Sequence, residues 1–347
     1  MPLSDYSYFV QQLLRWNRLA NNRSMPWKGE KDAYKIWLSE IILQQTRVEQ
    51  GLEYYNKFIN EFPTVVDLAN ASDTRVMKLW EGLGYYSRCR NLLKTARLVR
   101  DIYDAQFPTG FQELIKLPGV GPYTAAAISS FAANAPNAVV DGNVIRVLAR
   151  FFGIHRPVAD VAGKKVFEQL AQDILPHGRS AVYNQAIMDF GATVCKPAAP
   201  LCATCMLRNS CYAFNQQEIS SLPVKLKRPE KKYRYFHFIY IRYNGKVCLV
   251  QRHKKDIWQG LYQFPAIETQ SVTPPEHFRP LLNRQPAIWV DADFTQMLTH
   301  QKIHARFYRI SMSKKPDIPD GLWIDENELN EYPMPKVMVN FLKNIHK

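Results

Sequence analysis

Nowhere does this chain carry an apolar run approaching the roughly 18 residues that a membrane span needs. Its opening MPLSDYSYFVQQLLRW has no basic region followed by a small-residue cleavage site. The two absences lead to the expectation of a cytosolic protein with no membrane partner. Internal repeats and low-complexity tracts are missing as well. With 46% hydrophobic and 22% charged residues, the composition is that of packed globular domains and excludes a mostly disordered chain. Acidic residues are in deficit: 45 Lys and Arg stand against 31 Asp and Glu, a formal net charge of +14. Such a balance favours a polyanionic partner held by phosphate neutralisation, but by itself fits nucleic acid, an anionic membrane surface or a plain basic protein.

Cysteine is scarce, and its placement is uneven. Of the six, four crowd between positions 195 and 211. In a chain without a secretion signal, such crowding points to metal rather than to a disulfide framework. Cys89 and Cys248 stand alone and read as ordinary buried thiols.

Strand signals are nearly absent from residues 5–212. Apolar side chains recur there at helical spacing, in YKIWLSEIILQQTRVEQGLEYYNKFI and again at 73–81, 88–103, 122–133, 143–152 and 163–174. The stretch Leu222 to Arg234, LPVKLKRPEKKYR, has two prolines and six basic residues against one Glu, and reads as an exposed basic linker. Beyond it, YFHFIYIRYNGKVCLVQR gives two alternating runs joined by Asn244-Gly245, the signature of a type I′ hairpin. A further strand is expected at 303–312 and a closing helix at 337–346. At 347 residues the chain suits two cores: a mostly α domain over 1–215, a linker over 216–232, and a smaller α+β domain over 233–347.

Three segments carry chemistry. The cysteines follow the spacing Cys195, six residues, Cys202, two residues, Cys205, five residues, Cys211. Four thiolates so spaced converge on one small object, and spacing alone leaves zinc and an iron–sulfur cluster both open. In FQELIKLPGVGPYTAAAISSF, two helical segments flank Leu117-Pro118-Gly119-Val120-Gly121. Two glycines let such a turn expose backbone N–H groups at the start of the next helix, an anion site suited to a DNA phosphate. The third segment is VVDGNVIRVLARFFGI, where Asp141 sits near a helix start and could serve simply as its N-cap.

The order LPGVGPYTA, VDGNVIRV, C-x6-C-x2-C-x5-C resembles the helix-hairpin-helix DNA glycosylases related to endonuclease III, over roughly residues 5–212. The resemblance implies a [4Fe–4S] cluster on Cys195, Cys202, Cys205 and Cys211, duplex DNA as partner, and DNA contacts at Gly119, Val120 and Gly121. In the bifunctional branch of that family a lysine two residues after the last hairpin glycine forms a Schiff base. Tyr123 stands there, and a phenol cannot form an imine. WLSEIILQQTRV and RSMPW resemble the adenine-releasing branch, which implies Glu40 as general acid and Arg23 and Trp27 in the base pocket. Adenine leaves poorly until a ring nitrogen is protonated, so an acid with a raised pKa is wanted, and a carboxylate such as Asp141 would stabilise the oxocarbenium-like sugar. Tyr123 and Asn143 would orient this pair. Gln45 and Tyr85 match the family's positions that fill the gap left by an extruded base.

WQGLYQFPAIE at 258–268 resembles the entry to a Nudix domain, but no Arg-Glu-x-x-Glu-Glu box follows, so this part should bind rather than hydrolyse. In the adenine-releasing branch it inspects 8-oxoguanine with a Phe-Ser-His loop. Leu298-Thr299-His300 is the matching segment, with the hydroxyl and imidazole kept and the aromatic ring lost. The expected partner is thus duplex DNA with adenine opposite 8-oxoguanine or guanine, bound by a monomer in a bacterial-type cytoplasm and nucleoid. A bifunctional lyase for pyrimidine lesions and a catalytically silent DNA-binding protein are the competing readings.

Overall fold

The structure, a computed structural model, describes residues 3–225, 230–271 and 289–345. The chain divides into two compact units, Met1–Asn70 with Asn91–Lys227, and Ala71–Arg90 with Arg228–Lys347. Its helices are α1 (Leu3–Leu19), α2 (Ala33–Leu43), α3 (Val48–Glu61), α4 (Val65–Asn70), α5 (Asp73–Leu79), α6 (Tyr86–Ile102), α7 (Phe111–Leu114), α8 (Pro122–Ala133), α9 (Gly142–Phe152), α10 (Val161–Asp173), α11 (Ser180–Thr193), α12 (Tyr212–Asn215) and α13 (Lys336–Ile345). The strands are β1 (Lys232–Tyr243), β2 (Lys246–Gln251), β3 (Tyr262–Gln263), β4 (Ala266–Thr269), β5 (Trp289–Met297), β6 (Gln301–Ser311) and β7 (Gly321–Asp325). None of the described helices is long and apolar enough to cross a membrane.

The first unit is helical, and its core is gathered around α1, α9 and α11. Phe9 of α1 is fully buried and meets the rings of Phe151 and Phe152 at 4.8 and 5.3 Å. Helix α2 is apolar on nearly every face, and Ala33–Leu38 and Ser39–Ile42 are almost all buried. A helix of that kind lies inside a core rather than on it, which carries Glu40 into apolar surroundings. Asp32 caps its start by accepting from the Tyr34 N–H at 2.9 Å. Between α2 and α3 the chain turns at Gln45, whose φ of 56° breaks what would otherwise be one helix.

In the second unit seven strands form one sheet among the described residues, in the order β3-β2-β1-β6-β5, with β4 also on β1 and β7 also on β2. Asn244 and Gly245 both have positive φ, 48° and 74°, as a type I′ hairpin requires, and they set the β1–β2 register Tyr243↔Lys246. β1 runs parallel to β6 and β5 antiparallel to it. Helix α13 closes the core, with Phe341 stacked on Phe307 at 4.3 Å.

Two boundaries differ from the sequence reading. Residues 71–90, placed by helical spacing in the first domain, cluster with the C-terminal unit. The stretch Leu222 to Arg234 is not exposed linker throughout: Leu222 is buried in the first core, and Arg234 belongs to β1, paired with Asp256 and Glu268. Apolar burial at one end and ladder pairing at the other override its basic composition. Residues 226–229 of the expected linker lie outside the described residues.

Candidate active site

A solvent-open cleft of about 770 Å³ in the first unit is lined by Arg23, Trp27, Glu40, Tyr123, Asp141 and Asn143, together with Ser39, Gln185 and Met188. All six residues that sequence assigned to catalysis or base binding therefore share one cavity. They arrive on four different supports, with Arg23 and Trp27 on the segment between α1 and α2. Glu40 comes from the buried α2, Tyr123 from the first turn of α8, and Asp141 and Asn143 from the start of α9. Trp27 packs edge-on against Tyr55 at 5.2 Å, and Arg23 donates to Asp189 Oδ1 at 2.9 Å.

The two carboxyl groups are held differently. Glu40 is 8% exposed, and burial pushes its pKa up to about 7; a hydrogen bond with Tyr123 works against this, while the charge of Asp141 adds to it. Burial also raises Asp141, but three hydrogen bonds oppose the shift. Its Oδ1 accepts from the backbone N–H of Asn143 at 2.9 Å and of Val144 at 2.7 Å, so it is the N-cap of α9 as well as a cleft residue. Its Oδ2 accepts from Asn143 Nδ2 at 2.6 Å. The Tyr123 phenol is driven far above its usual range, chiefly by burial and then by Glu40, and its hydroxyl also faces Met188 Sδ at 4.0 Å.

The hairpin between α7 and α8 is built with one conformationally demanding glycine. Gly119 has φ +77°, and a Cβ there would stand 2.8 Å from the Asn91 Cβ. Gly121 is the N-cap of α8 in ordinary extended backbone, with open space where a Cβ would go. The expectation that both glycines shape the turn therefore holds for Gly119 alone. Pro122 follows at the first helical position, where its missing N–H has no intrahelical use. Val120 is buried under the turn.

The four crowded cysteines all line one further pocket, with Arg150, Leu207 and Phe214 among its walls. Among the described residues, no three His, Cys, Asp or Glu side chains stand around one point as they would for a single metal ion. Arg150, buried in α9, donates to Lys196 O at 2.8 Å, to Pro197 O at 3.2 Å and to Cys195 Sγ at 3.5 Å. One turn earlier, Arg146 donates to Cys195 O at 2.7 Å, Gly191 O at 2.6 Å and Asn143 Oδ1 at 2.8 Å. The cysteine loop and the Asn143–Asp141 pair thus share a buried arginine.

Gln45 is exposed at the α2–α3 turn. In the second unit, Tyr85 is 41% exposed with φ 48°, and its hydroxyl bonds that of Thr299. Arg88 supports the turn beneath Tyr85, with its guanidinium 5.6 Å from the Tyr85 ring and 5.1 Å from that of Trp80. Leu298, Thr299 and His300 form the tip of the β5–β6 hairpin, closed by Leu298 N–H to Gln301 O at 2.8 Å, and the last two are exposed.

An adenine DNA glycosylase of Buchnera aphidicola is 32% identical to this chain over 349 residues, covering 96% of this chain and 98% of its own. The chain belongs to the adenine DNA glycosylase family. Two family models agree: a HhH-GPD superfamily base excision DNA repair protein matches residues 38–177 and a NUDIX domain matches 237–344. Among solved structures, a thermostable thymine-DNA glycosylase superposes with TM-score 0.56 at 28% identity, covering 61% of this chain and 98% of its own. Endonuclease III in a non-covalent DNA complex gives TM-score 0.55 at 21% identity, covering 62% and 98%, and shows the shared fold.

Four residues of this adenine DNA glycosylase family member escape the sequence reading: Arg146, Gln185, Asp189 and Gly191. Their common signal is a charged, polar or residue-poor position inside an otherwise apolar helical run, as in VIRVLARFF and YNQAIMDFG. Gly191 sits where α11 crosses α9, and a Cβ there would lie 2.7 Å from Asn143 Cβ and 2.9 Å from Asn143 O. Alanine in a helix interior is ordinarily better than glycine by about 1 kcal/mol. Here the clash falls on backbone, so Gly191→Ala is expected to lower the thermal midpoint and also to slow base release by displacing Asn143; unchanged release by a folded variant would show that Asn143 tolerates the shift.

Proposed function

We propose that this chain is a monofunctional DNA glycosylase that hydrolyses the glycosidic bond of adenine paired with 8-oxoguanine, and with guanine, in duplex DNA. The observation that carries the reading is the state of Glu40. A carboxyl group with its pKa near 7, facing an open cleft that also holds Asp141, is matched to giving up a proton at neutral pH. Family membership supplies the base; the cleft supplies the chemistry.

Glu40 protonates a ring nitrogen of adenine, and the bond from sugar carbon to base nitrogen breaks with its electron pair leaving on the base. The Asp141 carboxylate, aligned by Asn143 and the start of α9, faces the cationic sugar that remains, and water adds to give the abasic site. Tyr123 hydrogen-bonds Glu40 and, lacking an amine, leaves the strand uncut. Arg23 and Trp27 flank the base. Gly119, Val120 and Gly121 hold a phosphate at the start of α8, and Gln45 and Tyr85 fill the gap left by the extruded nucleotide. Thr299 and His300 read the opposite 8-oxoguanine, with Leu298 giving contact but no aromatic stacking. The enzyme acts as a monomer on nucleoid DNA.

The four cysteines support a [4Fe–4S] cluster rather than zinc, because their order and spacing after the hairpin match the helix-hairpin-helix glycosylases and all four line one pocket. Cys195, Cys202, Cys205 and Cys211 would hold it. When bound, the cluster supplies a structural and electrostatic anchor for the loop and no bond-making step. Purified protein is expected to contain iron and to absorb in the visible; zinc alone by elemental analysis would overturn the assignment.

The activity is tested on a duplex holding one adenine opposite 8-oxoguanine. Free adenine should be released, with strand breaks appearing only after alkali. Scission without alkali, with a product trapped by borohydride, would instead establish a lyase, and no base release would sink the enzymatic reading.

A further inference from the structure

Tyr85 is a bulky, non-glycine residue with φ 48°, a left-handed backbone that such residues adopt only where neighbouring groups enforce it. The enforcement is built into the same turn of the second unit. Gly82 and Gly84, with φ 91° and 77°, let the chain reverse sharply just before it. Trp80 is fully buried and donates from Nε1 to Gly84 O at 2.9 Å, and the Tyr86 hydroxyl accepts the Gly82 N–H at 3.3 Å. Arg88, only 8% exposed, donates its backbone N–H to Tyr85 O at 2.8 Å. Its side chain turns back under the turn, with Nη2 3.5 Å from Leu83 O and 3.4 Å from Gly84 O.

The same guanidinium stands over the rings of Trp80 and Tyr85, at 5.1 and 5.6 Å. A cation over a ring is attracted by the ring's quadrupole, and more strongly where water is excluded. Arg88 therefore fixes two things at once, the carbonyls of the turn that carries Tyr85 and the ring itself. A planar fork of donors does both, where a compact ammonium or an apolar chain does not. The Tyr85 ring is 41% exposed, and ordering it before DNA arrives removes that entropic cost from the binding step.

We propose that Arg88 is a positioning residue that holds the Tyr85 ring ready for the gap beside an extruded nucleotide, so that unstacking of the target adenine depends on a buried side chain with no part in bond breaking. The inference rests on the reading above in which Tyr85 fills that gap. It adds a reason why Tyr85 is pre-formed in a conformation that the residue by itself disfavours.

Single-turnover adenine release opposite 8-oxoguanine is measured for the wild type, Arg88→Met, Tyr85→Ala and the double variant. Methionine keeps the apolar bulk of the arginine stem and loses the fork and the charge. Arg88→Met is expected to slow release about tenfold, Tyr85→Ala at least as much, and the double variant no more than Tyr85→Ala, because Arg88 acts through Tyr85. A merely structural Arg88 gives losses that multiply; that result, or wild-type release by Arg88→Met, would overturn the proposal. A second readout separates extrusion from chemistry. In place of the adenine, 2-aminopurine brightens when unstacked, and its rise on binding should shrink in Arg88→Met and Tyr85→Ala alike. A full rise with slowed release would place Arg88 after extrusion and overturn the proposal as well. If circular dichroism shows Arg88→Met unfolded, Arg88→Lys, which keeps the charge without the fork, is read in the same cycle, and multiplying losses there overturn it equally. A wild type that releases no adenine defeats the activity and this inference together. Adenine release with Tyr85→Ala as fast as the wild type removes Tyr85 from the gap, defeats this inference and leaves the activity standing.

Discussion

Replacing Glu40 by glutamine is expected to abolish adenine release, leave duplex affinity intact and make the free protein more stable above neutral pH. The kinetic loss follows from removing a proton that the cleft holds poised near pH 7; general acids contribute typically 10²- to 10⁴-fold. The stability gain follows from linkage. Folding raises the Glu40 pKa from the ordinary 4.5 to about 7, so the folded state holds its proton more tightly than the unfolded chain. Stability is full below pH 4.5, declines as pH rises through that window, and has lost about 3 kcal/mol above pH 7, at 1.36 kcal/mol for each unit. Glutamine keeps the shape and has no proton to lose. Denaturant unfolding at pH 5 and pH 8 should therefore show wild type and variant similar at the lower pH and the variant ahead at the higher. The wild-type excision rate should fall about tenfold per unit once pH passes the Glu40 pKa, because only the protonated form donates. Retained turnover in Glu40→Gln would remove Glu40 from the acid role. A stability gap that ignores pH would mean that folding leaves the Glu40 pKa near its ordinary value.

Asp141→Asn should cost at least about 100-fold in excision with the helical domain still folded. Asparagine caps a helix as well as aspartate does, so the bonds from the Asn143 and Val144 N–H groups survive. The other side of the group does not. Where Asp141 Oδ2 accepted from Asn143 Nδ2 at 2.6 Å, the new amide offers a donor to a donor. Asn143 cannot turn over to relieve it, because its Oδ1 is taken by Arg146 Nη2 at 2.8 Å. A destabilisation of about 1–3 kcal/mol is expected from that mismatch. Turnover close to wild type at saturating enzyme would show that the negative charge is dispensable, and Asp141 would then be a helix cap and no more.

The helices of the first unit, the Asn244-Gly245 hairpin and the closing helix were legible because each is written in near neighbours: spacing of three and four for a helical face, alternation for a strand, two positive-φ residues for the turn. The residue types of the cleft were legible for another reason. Glu40, Tyr123, Asp141 and the cysteine ladder lie in segments whose joint order resembles one family, and that family is the one to which the chain belongs. The role of residues 71–90 was not legible, because their helical spacing is the same whichever core covers them, and only packing assigned them to the C-terminal unit.

What the sequence alone determined is the inventory: two domains, an acid on an apolar helix, a second carboxylate at a helix start, four convergent thiols and a tyrosine where an amine would cut the strand. The tertiary structure decided how those groups are tuned. Asp189 meets Arg23 across 166 positions of chain, and Arg146 reaches Cys195 across 49. The Glu40 pKa reaches about 7 chiefly because segments distant in sequence bury it, with the charge of Asp141 adding to the shift. Propensity and periodicity act between residues a few places apart, whereas desolvation, buried charge pairing and the close crossing at Gly191 depend on atoms that become neighbours only when the chain has folded.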